Sequence, residues 1–258
     1  FFRNLSSMKK TIFLLVLLGN IWLWRIFFSS PLVALLLLMV TSALFFYLQG
    51  HAVLKIIFWI LFSALLAVQI GTTTRMSLTS LSNDEIRIRD MRLREYPLVS
   101  IYLGTKVLWI PIAHWFEGRA ESIAFFRVMR NFSEAIDPNV YFFASHPRER
   151  VGTVEFEKFP YIFLPFFLYG IFCLAKRDRK IIFYSFIIPV IAISFVGPSN
   201  KFGTIALFPF IVVVAAMGLY SFFKFVTKKY KISKMKFVAA GMGVFLLVLA
   251  QTLAYALY

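Results

Sequence analysis

The chain has 258 residues, of which 60% are hydrophobic, with a mean hydropathy of +0.79 and a formal net charge of +16. Several apolar stretches approach the ~20 residues that cross a bilayer, so an ordinary soluble domain is excluded. The cations flank these stretches instead of sharing one soluble surface with aromatics, so they read as topogenic and lipid-facing, and no nucleic-acid partner is implied.

An apolar run that crosses a membrane must satisfy its backbone hydrogen bonds internally and therefore reads as helix. Seven spans are predicted, at residues 11–28, 31–48, 52–71, 160–175, 181–198, 204–223 and 237–258. The first follows Lys9-Lys10 and precedes no small-residue cleavage site, so it reads as a retained span and not a signal peptide. One helix from Thr11 to Leu48 would be about 57 Å long, roughly twice the hydrocarbon thickness. Ser29-Ser30-Pro31 supplies the break, with Ser30 as N-cap and Pro31 at the first helical position. The fold class expected is all-α: a polytopic membrane helix bundle in three parts. These are a three-span region at 1–71, an extracytoplasmic segment of interfacial helices and loops at 72–159, and a four-span region at 160–258.

Within the external segment, Ser82-Asn83-Asp84-Glu85 with Arg87, Arg89 and Asp90 has two readings. The group could hold a metal or act as a general base; a helix start, capped by Ser82 with acids in its first turn, accounts for the same residues. Leu98–Phe116, rich in aromatics and aliphatics but interrupted by Gly104, Lys106, Pro111 and His114, is expected to be a helix lying at the membrane surface. A second helix is expected from Arg119 to about Ala135. Ile123, Phe126, Met129 or Val128, Phe132 and Ile136 recur there at spacings of three and four, a face suited to the bundle or to the interface. Asp137-Pro138-Asn139 ends it. Asn131-Phe132-Ser133 fits a glycosylation sequon but falls inside that helix.

The turn-rich stretch Val140–Phe159 contains His146-Pro147-Arg148-Glu149-Arg150. Two guanidinium groups beside an imidazole suit phosphate, through bidentate charge-assisted hydrogen bonds. A solvated loop pairing locally with Glu149 or Glu155 is the alternative. The fourth span carries Pro160 and Pro165, which predict a kinked start. Pro198-Ser199-Asn200-Lys201 forms a short external turn that holds Lys201 at headgroup level, for snorkelling or for binding a ligand phosphate.

Eleven of the twelve acidic residues lie in 72–159, where twelve Lys and Arg nearly balance them. Elsewhere sixteen Lys and Arg face only Asp178. The positive-inside rule then places the N-terminus, Lys176–Lys180 and the lysines from Lys224 to Lys236 in the cytoplasm, and 72–159 outside. The spans contain Asn20, Gln69 and Gln251 as amides and no acid, which disfavours ion-coupled transport. Cys173 has no cysteine partner, and the three histidines do not fall at metal-ligand spacings. No cofactor is indicated, although a divalent metal is compatible with the chemistry described next.

Several strings together have a familiar arrangement. They are Asn139–Phe143, His146–Arg150, Glu155–Pro160 and Leu164–Gly170, followed by Ile188-Pro189 through Phe195, the turn Pro198–Lys201 and Leu207–Phe210. Over roughly residues 50–258 the chain resembles bacterial GT-C-type membrane glycosyltransferases, the relatives of protein O-mannosyltransferases and lipid A aminoarabinose transferases. The resemblance implies a sugar donor linked to polyprenyl phosphate and bound at the outer leaflet of a bacterial inner membrane. Arg148 and Arg150 would bind the donor or leaving phosphate, supported by His146 and Lys201. The family's catalytic acid lies in its first external loop; here the loop between the first two spans is Ser29-Ser30, without an acid. The chain begins at Phe1 without Met and ends inside an apolar run, so the expectation is a fragment whose catalytic carboxylate lies upstream. The rival readings are a transporter subunit and a non-catalytic assembly protein.

Overall fold

The computed structural model describes residues 2–50, 52–74, 77–95, 99–103, 106–110, 120–143, 157–177, 180 and 183–230, with positions 243, 246 and 250. The architecture is a bundle of apolar helices with a smaller polar segment packed at one end. Among the described residues three helices are long and apolar enough to cross a membrane: Pro31–Leu48, Val53–Thr72 and Ile205–Lys229. A bent pair, Met8–Leu18 with Ile21–Ser29, makes a fourth if counted as one span, and Tyr161–Leu174 and Phe183–Val196 are shorter apolar helices. The seventh expected span, 237–258, lies outside the described residues.

The chain opens with α1 (Phe2–Leu18) and α2 (Ile21–Ser29), which meet at 61°. The span expected at 11–28 is therefore two helices and not one, and Asn20 is the reason. Its Nδ2 donates to the Val16 and Leu17 carbonyls at 3.2 and 2.6 Å, closing the end of α1, while its Oδ1 accepts the Leu23 N–H at 2.8 Å and caps α2. One buried amide thus satisfies backbone groups that a break inside hydrocarbon would otherwise orphan. α3 (Pro31–Leu48) starts at the proline as expected, but Ser30 caps it without a side-chain hydrogen bond. α4 (Ala52–Thr72) packs antiparallel to α3.

In the second half, a 3-10 turn over Tyr161–Phe163 leads into α8 (Leu164–Arg177), the kinked start that its prolines predict. A π turn over Phe183–Ile187 leads into α9 (Ile188–Val196). Pro189 has no N–H to give to the carbonyl four residues back at Ser185, so the local register widens. α10 (Phe208–Tyr230) follows a 3-10 turn at Ile205–Leu207. It is the central helix: its span is 72% buried, against 22% for α4. α8 lies against it more extensively than any other pair of elements. The contact is backbone to backbone at Gly170 and Gly218, since a Cβ on Gly218 would meet the Phe166 carbonyl and lie 2.8 Å from the Gly170 nitrogen. With lipid on the outside, close approach at small residues is what holds such helices together.

Between the two halves lie α5 (Asn83–Glu95), strands β1 (Val99–Leu103) and β2 (Lys106–Ile110), α6 (Ala120–Ile136) and α7 (Pro138–Phe142). The surface helix expected at 98–116 is contradicted: β1 and β2 pair antiparallel, Val99 opposite Ile110 and Leu103 opposite Lys106. Two short runs rich in β-branched and aromatic residues, with Val99, Ile101 and Tyr102 before Gly104-Thr105 and Val107, Trp109 and Ile110 after it, make a hairpin signal that outweighs the length of the apolar stretch. α6 is found within a residue of its expected bounds, and of the two placements left open for its apolar face it does not take the one against the bundle. It packs on α9 through Asn131 and Ala135, which are buried, and leaves Phe125, Phe126, Met129, Phe132 and Ile136 exposed. Asn131 donates to the Ser194 carbonyl at 3.0 Å, so this sequon nitrogen is tied into the bundle. Asp137 both ends α6 and caps α7, accepting the Asn139 N–H at 2.9 Å.

The two ends of the bundle differ in charge. At one end Lys9 lies over the Tyr220 ring and Lys10 over Phe46, and Lys55, Lys180, Lys224, Lys228 and Lys229 belong to the same level. Among the described residues of that end there is no Asp or Glu. The described acids all belong to the other end, with α5, α6 and α7.

Candidate functional site

The end of the bundle that carries the polar segment is built around Trp22, the second residue of α2. Its indole N–H donates to the Phe202 carbonyl at 2.7 Å, and its backbone N–H to the Lys158 carbonyl at 3.3 Å. Phe159 and Phe208 meet its ring edge-on at 5.9 and 5.5 Å, and Tyr141 lies tilted at 6.1 Å. Lys158 sets its ammonium 5.6 Å from the Trp22 ring and 5.7 Å from the Tyr141 ring, and donates to the Val140 carbonyl at 2.7 Å. Two aromatic faces and a carbonyl together stabilise the cation at this point.

Tyr141 is buried, and its hydroxyl donates to the Ala135 carbonyl at 2.6 Å, with Thr204 Oγ1 at 3.0 Å. Burial raises its pKa well above that of an ordinary tyrosine, so it remains the donor that ties α7 to α6. Its backbone carbonyl accepts both the Lys158 and Phe159 N–H groups, at 3.1 and 2.9 Å. The residues that flank 144–156 are thereby closed onto one point of the hub. His146, Arg148 and Arg150 fall within 144–156 and lie outside the described residues.

Lys201 is described. It is exposed in the turn between α9 and α10, with its ammonium 5.6 Å from the ring of Phe202, whose carbonyl holds Trp22. Its neighbour Asn200 has a structural task. Nδ2 donates to the Gln69 carbonyl and to the Thr72 and Thr73 hydroxyls at 2.9, 2.7 and 3.0 Å, while Oδ1 accepts the Phe202 N–H at 2.8 Å. Gln69 Oε1 accepts the Ala206 N–H at 3.3 Å. The end of α4 is thus clamped to the turn that carries Lys201, and Gln69, read from the sequence as a polar group inside a span, is part of the clamp. Asn200→Ala removes two N–H donors shared among three acceptors and one acceptor, and is expected to lower the thermal midpoint by the equivalent of about 2–3 kcal/mol, each bond contributing about 1 kcal/mol or less. Thermal unfolding in detergent reads the shift.

The acidic and basic residues at the start of α5 follow the helix-start reading. The Ser82 N–H donates to Glu85 Oε2 at 2.8 Å and the Glu85 N–H to Ser82 Oγ at 3.3 Å, a reciprocal capping box. Glu85 also pairs with Arg127 of α6 at 2.9 Å, Arg127 donates to the Ser77 carbonyl, and Arg89 pairs with Asp90 at 2.9 Å. Among the described residues no three His, Cys, Asp or Glu side chains gather as a metal-binding group. A cleft of about 190 Å³ remains beside this tether, lined by Glu85, Arg127, Arg130, Asn131, Glu134 and Ser199 among others.

The Ser82 backbone N–H, with the Ser82 side chain and Arg127, holds Glu85 below the usual carboxylate range, against the opposing effect of burial. A depressed folded pKa contributes stability above the unfolded value and loses it as pH falls through the folded one. The difference in thermal midpoint between wild type and Glu85→Gln is therefore expected to hold steady above about pH 5 and to shrink as pH falls below the ordinary glutamate pKa, going to zero below the depressed folded value. A melting series across that range measures it.

Trp22, Tyr141, Lys158, Asn200 and Thr204 were not singled out by sequence reading as one centre. Their only local signals are a capping asparagine two residues before Trp22 and a lysine just before Phe159-Pro160. None of the protein-family models, curated proteins or solved structures compared with the chain matches it.

Proposed function

We propose that the chain is the membrane part of a GT-C-type glycosyltransferase that moves a sugar from a polyprenyl-phosphate donor to an acceptor at the extracytoplasmic face of a bacterial inner membrane. One observation supports it above the others. Three of the strings that carry the resemblance, Asn139–Phe143, Glu155–Pro160 and Leu207–Phe210, meet at Trp22 through Tyr141, Phe159 and Phe208 at one end of the bundle.

In this reading the lysine-bearing end is cytoplasmic and the end holding Trp22 and residues 72–159 is outside, as the positive-inside rule requires. The acceptor attacks the anomeric carbon, the bond from that carbon to the phosphate oxygen breaks, and polyprenyl phosphate departs carrying the electron pair. Arg148 and Arg150 stabilise the charge that develops on the phosphate, and His146 and Lys201 assist at headgroup level. The Tyr141 carbonyl, which accepts from both Lys158 and Phe159, joins the described residues on either side of 144–156. An ion-coupled transporter is less well supported, because the buried amides Asn20 and Gln69 are spent on capping and clamping rather than free to line a path.

The test uses the full-length protein in detergent and its retention of a C55 polyprenyl phosphate, read by native mass spectrometry. Arg148→Ala with Arg150→Ala is expected to weaken retention by about tenfold to a hundredfold, the worth of a charge-assisted contact of about 1.5–3 kcal/mol. Sugar transfer from the lipid-linked donor should fall in parallel. A wild-type protein that retains no polyprenyl phosphate, or a double variant that retains it unchanged, refutes the assignment.

A further inference from the structure

At the opposite, lysine-bearing end, a cavity of about 380 Å³ lies between the start of α4 and the π turn before α9, lined by Tyr47, Lys55, Trp59, Lys180 and Tyr184. Its aromatic walls are held in place: Trp59 meets Tyr184 edge-on at 5.7 Å, and Tyr47 stacks on buried Phe58 at 6.4 Å. Lys55 and Lys180 are both exposed, and among the described residues neither has a hydrogen-bond or ion-pair partner. Two unpaired ammonium groups at one cavity, at an end where the described residues include no carboxylate, call for an anion.

The depth and surroundings say which kind. Lys55 is the fourth residue of α4, so its Cα lies only about 5 Å along the helix from its start, at headgroup level with a side chain long enough to reach the interface. Next to it on α4, Val53, Ile56 and Ile60 form a stripe at spacings of three and four that is 74, 67 and 64% exposed. Among the described residues no element covers that stripe, and in a bilayer it meets acyl chains. Trp and Tyr rings between a cationic rim and an apolar stripe match the glycerol level of a lipid.

We propose that this cavity is a binding site for an anionic glycerophospholipid. The phosphate lies between the Lys55 and Lys180 ammonium groups, the Tyr47 and Tyr184 hydroxyls donate to its oxygens, Trp59 packs on the glycerol region, and the acyl chains run along Val53, Ile56 and Ile60. Cations flanking a span meet anionic headgroups in general; the specific content here is a walled site with a preferred headgroup. It lies at the other end of the bundle from the hub around Trp22, so the two assignments stand or fall separately.

The experiment places the full-length protein in phosphatidylcholine bilayers doped with phosphatidylglycerol or phosphatidylcholine carrying brominated acyl chains. The Trp59 signal is taken as the difference between wild type and Trp59→Phe. Quenching is expected to reach half its limit at a severalfold lower mole fraction of phosphatidylglycerol than of phosphatidylcholine. Lys55→Gln with Lys180→Gln should bring that ratio to about one, while Lys55→Arg with Lys180→Arg keeps it and shows that the fold is intact. Equal quenching by the two lipids in wild type, or a preference that survives the Gln pair, overturns the site. Loss of the preference on adding inorganic phosphate at constant ionic strength would assign it to a soluble anion and overturn the lipid reading.

Discussion

Gly218→Ala is expected to cost the protein more stability than the size of one methyl group suggests. The added Cβ would run into the Phe166 carbonyl and lie 2.8 Å from the Gly170 nitrogen, both backbone atoms of α8. No rotamer change relieves a clash with backbone, so the helices must separate along the most extensive contact in the bundle. Overpacking of this kind costs about 1–3 kcal/mol, and the rigidity of the obstacle puts this case at the upper end. Gly170→Ala should behave similarly, because its Cβ would meet the Val214 carbonyl and lie 2.9 Å from Val214 Cγ1. Gly71→Ala is the control. Nothing lies within 4 Å of its added carbon, and a helical alanine in place of glycine stabilises by up to about 1 kcal/mol. Thermal melts in detergent should lower the midpoint for the first two and hold or raise it for the third. Equal shifts for all three would mean that α8 and α10 do not approach at their glycines.

Trp22→Ala is expected to have the largest effect of any truncation at the hub. The side chain is 1% exposed and touches α7, the Lys158–Phe159 segment, the turn before α10 and α10 itself. Removing a buried tryptophan of this kind costs about 3–5 kcal/mol. Trp22→Phe separates two contributions, since it keeps an aromatic filler but leaves the Phe202 carbonyl without its donor, at about 1–3 kcal/mol. The expected order of melting midpoints is wild type, then Phe, then Ala. If the hub also positions the phosphate site, Trp22→Phe lowers polyprenyl-phosphate retention more than the Glu85→Gln variant does, although both remain folded. A Phe variant as stable as wild type would remove the indole hydrogen bond from the account.

The membrane helices were legible where an apolar run has polar punctuation at both ends. α3 and α4 were read within a residue of their bounds, because Ser30-Pro31 and Gln49-Gly50 mark chain breaks that hydropathy and backbone geometry agree on. The bend at Gly19-Asn20 was missed for a physical reason. A single amide hardly changes the hydropathy of its surroundings, yet its two functional groups satisfy both helix ends. At 98–116 apolar content was weighed above the break at Gly104-Thr105, and the β-branched and aromatic runs on either side of it proved the better guide. For α6 the heptad-like apolar face was correctly located, but it faces away from the protein, and the amide Asn131 makes the contact instead. In a membrane protein the most apolar face need not be the packed one, since lipid can cover it.

The candidate site was legible only as separate strings. The turn between α9 and α10 that carries Lys201 was legible from sequence as a chain reversal, and so was the capping role of Ser82. Trp22 and Phe202 are 180 residues apart, and nothing in either neighbourhood announces that an indole N–H will find that carbonyl. The same holds for Tyr141 and Thr204 and for Asn200 and Gln69, pairs that exist only once the bundle has brought the ends of α4, α7 and the α9–α10 turn to one level.

The sugar-transfer assignment depends on which end of the bundle faces outward, and one labelling experiment decides it. In a Cys173→Ser background, Ser80→Cys marks the end that carries the hub and Lys228→Cys marks the lysine-bearing end, both at exposed positions. A membrane-impermeant maleimide applied to intact cells is predicted to label Ser80→Cys and to reach Lys228→Cys only after the membrane is opened. Labelling of Lys228→Cys in intact cells, with Ser80→Cys protected until lysis, would invert the protein and contradict the proposal that sugar transfer takes place at the end built around Trp22.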